Sequence, residues 1–503
     1  MKPSHRYLGM PLYLADDVKK IESSATQIGG YELYQLMLRA GQAAWQALLN
    51  KWPNCKNIVV IAGSGNNAGD GFVLAQLAHQ QGFNVVVLTV SKNPQYKGDA
   101  ATAFENLQQT EVSILHYHKQ LLSGSDVIVD AILGTGLTGP LRSQFLEVIE
   151  SLNDFVATEG VKASVYSLDI SSGLNADTGC VDPCAVRADH CISFINYKPG
   201  MYTAKAREYC RSFELADLAI DARSRDDVPI HAYCDDSQEL IHSLPKRSRT
   251  SHKGDHGHLL LIGGDYGFGG AILMSGLAAA RTGVGKLTIL TRDSHVAPIL
   301  TQFPEAMICS IEDSSDPLLE ELIANADAIV IGPGLGQQEW GKVLLERVLK
   351  TDKPILVDAD GLNILAQNPI HKDNWVLTPH PGEASRLLDT NTQEAESDRY
   401  QTISQLQKKY QGIVVLKGAG TLIADEDLTT VCTKGNPGMA TGGMGDILSG
   451  IIGSLLAQGL APFHAARAGV ALHAVAGDMA AKAGEKGLLA TDLIDPIRQL
   501  VNE

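Results

Sequence analysis

The sequence predicts an α/β protein made of two parallel-sheet domains. Short apolar β-like runs alternate with helical patterns, one strand–helix–strand unit per ~30 residues, which is the rhythm of a parallel sheet covered on both faces. The 49 glycines among 503 residues exceed average usage and collect just after those runs, where open α/β sheets carry ligand loops. The rhythm stops once, in a polar stretch near 221–256, and then restarts. A chain of this length exceeds one ordinary core.

In the first half, helical patterns over 14–27 and 31–50 precede a β run, Asn57–Ala62. A glycine loop, Gly63 to Gly71, follows, and a helix is expected from Phe72 to Gln81. Further β runs are read at Asn84–Val90, Val112–Tyr117, Asp126–Ile132, Ser164–Ile170 and Cys191–Tyr197. The polar stretch holds Asp221-Ala-Arg-Ser-Arg-Asp-Asp-Val-Pro and a basic run from Pro245 to His256. It puts the domain boundary near 221–235, with domains of 1–225 and 226–503. The basic run reads equally well as a ligand loop or as a solvated linker. The second half has β runs at His258–Ile262, Lys286–Leu290, Ala328–Ile331, Ile355–Asp358, Trp375–Thr378 and Ile413–Leu416. Loops rich in glycine or proline follow, and five of them on one sheet edge predict a large cleft. No repeat relates the halves, so two unrelated α/β domains are expected.

The net charge of −16 argues against nucleic acid or an anionic membrane surface as partner. Phosphorylated small molecules remain open, because helix N-termini bind anions locally. No signal-peptide pattern opens the chain, and Ile447 to Ala461 is too short and interrupted to span a bilayer. Eight cysteines lack a framework spacing, which suits reduced thiols in the cytoplasm. Cys180, Cys184, Cys191 and Cys210 lie near one another in sequence without a Cys-x-x-Cys pair, so zinc is disfavoured. A homo-oligomer is the expected assembly.

Gly63, Gly65 and Ala68 satisfy Gly-x-Gly-x-x-Gly/Ala between a strand and a helix, a weak dinucleotide signature by itself. The acid expected at the end of the next strand is absent from Val85–Ser91, which disfavours a plain nicotinamide dehydrogenase. The loop instead carries Asn66, Asn67 and Asp70. Two more strand ends add acids and hydroxyls: Asp130-Ala-Ile-Leu-Gly-Thr-Gly-Leu-Thr-Gly-Pro140 and Asp169-Ile-Ser-Ser-Gly-Leu174. Asn67, Asp130 and Ser172 form an oxygen-only set that suits a monovalent cation such as potassium. Each acid taken singly reads equally as a strand-end cap or turn former.

Residues 435–446 are the most informative segment. They read Gly-Asn-Pro-Gly-Met-Ala-Thr-Gly-Gly-Met-Gly-Asp, with five glycines in twelve residues, ahead of an apolar helix. Glycines allow close backbone approach, and the first amides of a helix are unpaired, so together they form a phosphate pocket. Asp446 stands at its lip, where a base for an attacking hydroxyl is wanted. The bland alternative is a glycine-rich turn with a capping Asp.

These motifs taken together resemble a known family. Gly-x-Gly-Asn-Asn-Ala-Gly-Asp-Gly, Asp-Ala-Ile-Leu-Gly-Thr-Gly-Leu and Asp-Ile-Ser-Ser-Gly-Leu resemble the NAD(P)HX epimerase domain, with Ala68 in place of a usual glycine. His252-Lys-Gly, Gly332-Pro-Gly-Leu-Gly, Asp358-Ala-Asp-Gly-Leu, Thr378-Pro-His-Pro-Gly-Glu and the 435–446 segment resemble the ADP/ATP-dependent NAD(P)HX dehydratase. Met444 stands where many relatives carry Thr, a departure bearing on one phosphate contact. The resemblance covers nearly the whole chain, in the order of the fused bacterial repair enzymes. It implies a Rossmann-like three-layer αβα domain followed by a ribokinase-like α/β domain.

The resemblance also implies the sites. The epimerase substrate would contact Asn66, Asn67, Ala68, Gly69 and Asp70, then Gly134, Thr135, Gly136, Leu137, Thr138, Gly139 and Pro140, and Asp169. Potassium would be held by Asn67, Asp130 and Ser172. Epimerisation at a carbon bearing oxygen and nitrogen needs an acid/base group; Asp169 is the first candidate and Lys198 the second. In the dehydratase domain the hydrated cofactor would contact Ala271, Gly334, His380 and Asp446. ADP or ATP, with magnesium, would rest on Lys417, Gly418, Ala419, Gly420, Thr421 and Gly445. Asp446 would take the proton of the hydroxyl that attacks the terminal phosphoryl. A small-alcohol kinase of the ribokinase-like class is the rival reading, since the same anion pocket and Asp446 would serve it.

Overall fold

The computed structural model describes residues 6–136 and 139–503. The chain divides into two compact units, Pro11–His231 and a second unit of Ala232–Glu503 with the residues up to Met10.

The first unit holds a parallel sheet of seven strands among the described residues. Their spatial order is Ser113–His116, Asn84–Thr89, Asn57–Ala62, Val127–Ala131, Ser164–Leu168, His190–Phe194 and Phe213–Ala216. This is the doubly wound, Rossmann-like order. The direction of winding reverses between Asn57–Ala62 and Val127–Ala131, and ligands bind such sheets in the crevice beyond the strand ends at that reversal. The central strands are almost wholly buried, as parallel strands covered on both faces must be. The helix after Gly65 begins at Asn66 and runs to Gln80. The stretch read as loop as far as Gly71 is therefore helical over its second half, because extended Gly65 already turns the chain into the helix. Asn66 to Asp70 thus form the first turn of that helix.

The second unit holds an eleven-stranded mixed sheet among the described residues. Six strands run parallel in the spatial order Ile413–Leu416, Trp375–Leu377, Ile355–Val357, Ala328–Ile331, His258–Ile262 and Lys286–Thr291, and Met307–Ser310 extends the array. Beyond Ile413–Leu416 the pairing turns antiparallel through Leu422–Ala424 and Thr429–Val431. Ala232–Asp235 and Leu8–Leu12 complete that side. The helix Met444–Ala457 is buried along nearly its full length and packs with Gly269–Thr282 and Pro462–Ala480 in one apolar core.

A buried ion pair explains why the first residues join this unit. Arg467 is wholly buried and pairs with Asp235 at 2.7 Å, while its other nitrogens donate to the carbonyls of Arg6 and Tyr7 at 2.8 Å each. Thr430 Oγ1 donates to the second oxygen of Asp235, also at 2.8 Å. A buried charge needs this level of pairing. Among the described residues no helix is long and apolar enough to cross a membrane.

Candidate functional site

A cavity of about 500 Å³ opens in the first unit at the winding reversal. Its walls include Asn66, Asn67 and Asp70 from the first helical turn, Gly134 to Gly136 and Pro140 from the second glycine loop, and Asp169. Ala68 and Gly69 lie buried beneath that turn and can offer only backbone. Gly139 does not line the cavity, and Leu137 and Thr138 fall outside the described residues. The methyl group of Ala68, the departure from the usual glycine, is absorbed by the core.

Asp169 follows the strand Ser164–Leu168 in a left-handed conformation, φ 64°, which Asp tolerates better than most residues. Its amide donates to Ile192 O at 2.7 Å, and its Oδ1 accepts from Phe194 N at 3.3 Å. Lys198 Nζ donates to the same Oδ1. Lys198 is itself buried and also donates to Ser193 Oγ at 2.9 Å and Phe194 O at 3.2 Å. The two acid/base candidates therefore form one ion pair, in which Asp169 faces the cavity and Lys198 lies behind it.

The three residues expected to hold a cation split in character. Asp130 is fully buried and saturated by protein donors: Ser172 Oγ at 2.5 Å, Ser167 Oγ at 2.7 Å, Ser172 N at 2.9 Å and Ile132 N at 3.2 Å. Burial raises its carboxyl pKa even though these bonds pull the other way. Asn67 uses its amide nitrogen on Leu133 O and Leu168 O, at 3.1 and 3.0 Å, and its Oδ1 has no partner. An orphaned buried amide oxygen is uncommon and calls for a ligand. The oxygen-only donors with one formal charge fit a monovalent ion.

In the second unit, Asp446 sits in the first turn of the buried helix, after Gly443 at φ 91°. A side chain at Gly443 would be strained there and would strike Met274. Ser275 Oγ donates to Asp446 O at 2.8 Å and so fixes this turn against the helix Gly269–Thr282. Gly445 passes close to Lys417: a Cβ there would lie 3.3 Å from Lys417 Nζ and 3.6 Å from Asp358 Oδ2. Lys417 Nζ donates to Asp358 Oδ1 at 2.7 Å and lies 3.7 Å from Glu383 Oε2. Ser449 Oγ holds the other oxygen of Asp358 at 2.7 Å. Asp358 precedes a helix but does not cap it; its carboxylate is committed to Lys417 and Ser449 instead.

His380 caps the helix Pro381–Leu388 in a reciprocal box with Glu383. Its Nε2 lies 3.4 Å from Glu383 Oε1, which brings His380 to the Lys417 cluster. Gly334 and Ala271 also meet, since a Cβ on Gly334 would lie 3.3 Å from that of Ala271 and 2.7 Å from that of Phe268. Gly418 to Thr421 form the turn between Ile413–Leu416 and Leu422–Ala424, with Thr421 Oγ1 donating to Gly418 O at 3.1 Å.

The ionisation of this cluster follows from its burial. Burial, then the nearby Asp358 charge, pushes the Asp446 carboxyl up to about 7, with Lys417 opposing. Burial likewise pushes Glu383 up to about 7. Burial disfavours the Lys417 ammonium, but the carboxylates of Asp358 and Glu383 outweigh it and the net shift is upward. Burial and the charges of Lys417 and Arg386 lower His380. A carboxyl poised near neutrality beside a helix N-terminus is equipped to accept a proton during anion chemistry.

Residues 259–499 match the NAD(P)H-hydrate dehydratase family, and residues 33–200 match the YjeF-related protein N-terminus family. The bifunctional NAD(P)H-hydrate repair enzyme Nnr of Coxiella burnetii is 46% identical over 98% of this chain and 99% of its own length. Nnr of Escherichia coli is 43% identical over 98% of this chain and 94% of its own. This chain belongs to the bifunctional NAD(P)H-hydrate repair enzyme family. The solved structure of a ribokinase-like superfamily protein from Enterococcus faecalis is 31% identical, covers 53% of this chain and 94% of that one, and has a TM-score of 0.50. The second unit is accordingly ribokinase-like.

Two features of this family member escaped sequence reasoning. Asp358 and Glu383 were visible as motif residues, but nothing local in the chain pairs them with Lys417, 59 and 34 positions away respectively (417 − 358 and 417 − 383). Glu22, on the first helix, lines the epimerase-side cavity and carries no motif at all. The Met444 departure resolves simply, because that side chain packs into the core.

Proposed function

We propose that this chain repairs hydrated nicotinamide cofactors in two steps: the first domain interconverts R and S NAD(P)HX, and the second dehydrates the S form. The dehydration step rests on one observation: Asp446, pushed up to about 7, stands at a glycine-led helix start beside Lys417 and Asp358. Hydroxide is a poor leaving group and phosphate a far better one. Asp446 accepts the proton of the C6 hydroxyl as the hydroxyl oxygen attacks the terminal phosphoryl of ADP or ATP, whose bond to the bridging oxygen breaks to release AMP or ADP. The amides around Gly443 and Gly445 stabilise charge that builds on that phosphoryl. Phosphate then leaves, driven by the ring-nitrogen lone pair, and the resulting N1=C6 iminium loses its C5 proton, which restores the C5=C6 bond of the dihydropyridine. The nucleotide rests on Lys417 to Thr421 and Gly445, and the hydrated ring on Ala271, Gly334 and His380.

The donors at this site are carboxylate oxygens, which suit magnesium held largely through nucleotide oxygens. Magnesium bound with the nucleotide supplies neutralisation of phosphate charge. In the first domain, Asn67, Asp130 and Ser172 would hold potassium, a reading supported by the unpartnered Asn67 Oδ1. The ion would supply fixed positive charge at the crevice. Asp169 exchanges protons with the substrate there, and Lys198 positions it. The protein works in the cytoplasm as a homo-oligomer.

Mixed R and S hydrates given with ADP, then with ATP, test the reading. Complete recovery of reduced-nicotinamide absorbance with stoichiometric free phosphate is expected. A stable phosphorylated alcohol in place of reduced cofactor would establish the kinase reading, which the family relationship does not favour.

A further inference from the structure

Epimerisation poses a geometric problem that one carboxylate does not solve. If the C6–O bond breaks, the hydroxyl leaves as water from one face of the ring, taking a proton, while the N1 lone pair forms an N1=C6 iminium. Water then adds to the opposite face and surrenders a proton, and the electron pair returns to nitrogen. Atoms and charge balance without any oxidant or reductant. A fixed group can serve only the face on which it lies, so two proton exchangers are required.

The cavity holds a second one. Glu22 projects from the helix Ala15–Gly29 and lines the same cavity as Asp169, which is carried at a strand end. Among the described residues the Glu22 carboxylate makes no hydrogen bond or ion pair, whereas Asp169 Oδ1 is engaged by Lys198 and Phe194 N. Asn67, with its unpartnered Oδ1 and only 6% exposure, lines this cavity too and marks it as a ligand site. We propose that Glu22 is the second catalytic acid/base of the epimerase, exchanging the proton of the C6 oxygen on the face that Asp169 does not serve.

The inference rests on the epimerase reading of this cavity and deepens it. The charged surroundings are consistent with the role. Lys19 lies on the same helix, Asp169 and Lys198 are near enough to act on Glu22 electrostatically, and Asp70, Asp99 and Arg142 also line the cavity. The cations of neighbouring elements are otherwise occupied: Arg39 by Leu218 O, Arg223 by Asp221, and Arg225 by Asn196 and Ile195 O. Burial first, then Asp169, pushes the Glu22 carboxyl up to about 7, with Lys198 and Lys19 opposing. The group can therefore give and take a proton near neutral pH. Burial, with the Asp169 and Glu22 charges, pushes the Asp70 carboxyl well above the ordinary range.

The test uses the full chain. The S epimer in a mixed hydrate is first consumed with excess dehydratase activity, and the remaining R epimer is followed as it feeds further recovery of reduced cofactor by dehydration, across about pH 5.5–8.5. Glu22→Gln is expected to lower the epimerisation kcat by ~10²-fold with KM within about threefold, and to remove the pH dependence near neutrality. Glu22→Asp is expected to restore part of the rate. Dehydration of pure S epimer should stay at the wild-type rate, which also reports that the variant is folded. Wild-type kcat and pH profile in Glu22→Gln would overturn the proposal. Absence of R-epimer conversion above the uncatalysed rate in the wild-type chain would instead overturn the epimerase reading itself.

Discussion

Lys417 Nζ and Asp358 Oδ1 stand 2.7 Å apart, and this pair sets the electrostatic environment of Asp446. The Asp358 charge discourages ionisation of Asp446 while the Lys417 charge encourages it, and burial tips the balance toward the protonated acid. Ser449 pins Asp358 from the same helix that carries Asp446. Asp446 and the hydroxyl that holds Asp358 are thereby carried on one rigid helix, the kind of support that a precise site needs.

Asp446→Asn is expected to lower S-epimer dehydration by ~10²-fold or more, as loss of a general base does. Nucleotide affinity should change by less than about threefold, since the amides and Lys417 remain. Parallel turnover and calorimetric titration with ADP check both. Near-normal turnover would remove Asp446 from the mechanism.

Dehydration should accelerate as pH rises through about 7, because Asp446 is a base only when ionised and its carboxyl is pushed up to about 7. Glu383 titrates in the same range, so two variants separate them. The rise should persist in Glu383→Gln and vanish from the residual rate of Asp446→Asn.

The same shift makes a stability prediction. An unfolded Asp ionises near 3.8, the folded Asp446 near 7. A raised folded pKa contributes stability that is complete below about 4 and lost as pH climbs through 7. Asp446→Asn should therefore be more stable than wild type at pH 8, by about 1–2 kcal/mol once partial solvent access is allowed for. The difference should vanish at pH 4. Urea unfolding at the two pH values reads this directly.

Asp169→Asn is expected to cut epimerisation by ~10²-fold or more while S-epimer dehydration continues unchanged. The substitution also strips the buried Lys198 of its counter-ion, so the first unit should lose stability, which differential scanning calorimetry would detect. Equal loss of both activities would contradict independent sites.

Arg467→Ala should destabilise the second unit by about 3–5 kcal/mol, the usual cost of leaving one buried charge unpaired, because Asp235 is fully buried against it. Proteolysis near the N-terminus should accelerate in step, since the carbonyls of Arg6 and Tyr7 lose their donors.

Much of the fold was legible in short-range pattern. The strands Asn57–Ala62, His258–Ile262, Ala328–Ile331 and Ile413–Leu416 have the limits read from their apolar runs, because each is buried on both faces. Phe213–Ala216, Met307–Ser310, Leu422–Ala424 and Thr429–Val431 gave no such run. They are three or four residues long, and most of Phe213–Ala216 and Met307–Ser310 is only partly buried. The helix start at Asn66 was hidden by the glycines around it, which read locally as loop.

The sequence by itself determined where the strands end and which glycine loops follow them, and so where the first-unit cavity opens, since apolar period, strand ends and glycine clusters are properties of neighbouring residues. It also singled out Asp446 and Asp169. Only the tertiary structure decided which charges meet: Lys417 with Asp358, Lys198 behind Asp169, Glu22 in the same cavity as Asp169, and Arg467 drawing the first residues onto the second unit. Those pairings join residues distant along the chain. They are selected because a charge withdrawn from water must find a partner wherever the packing brings one.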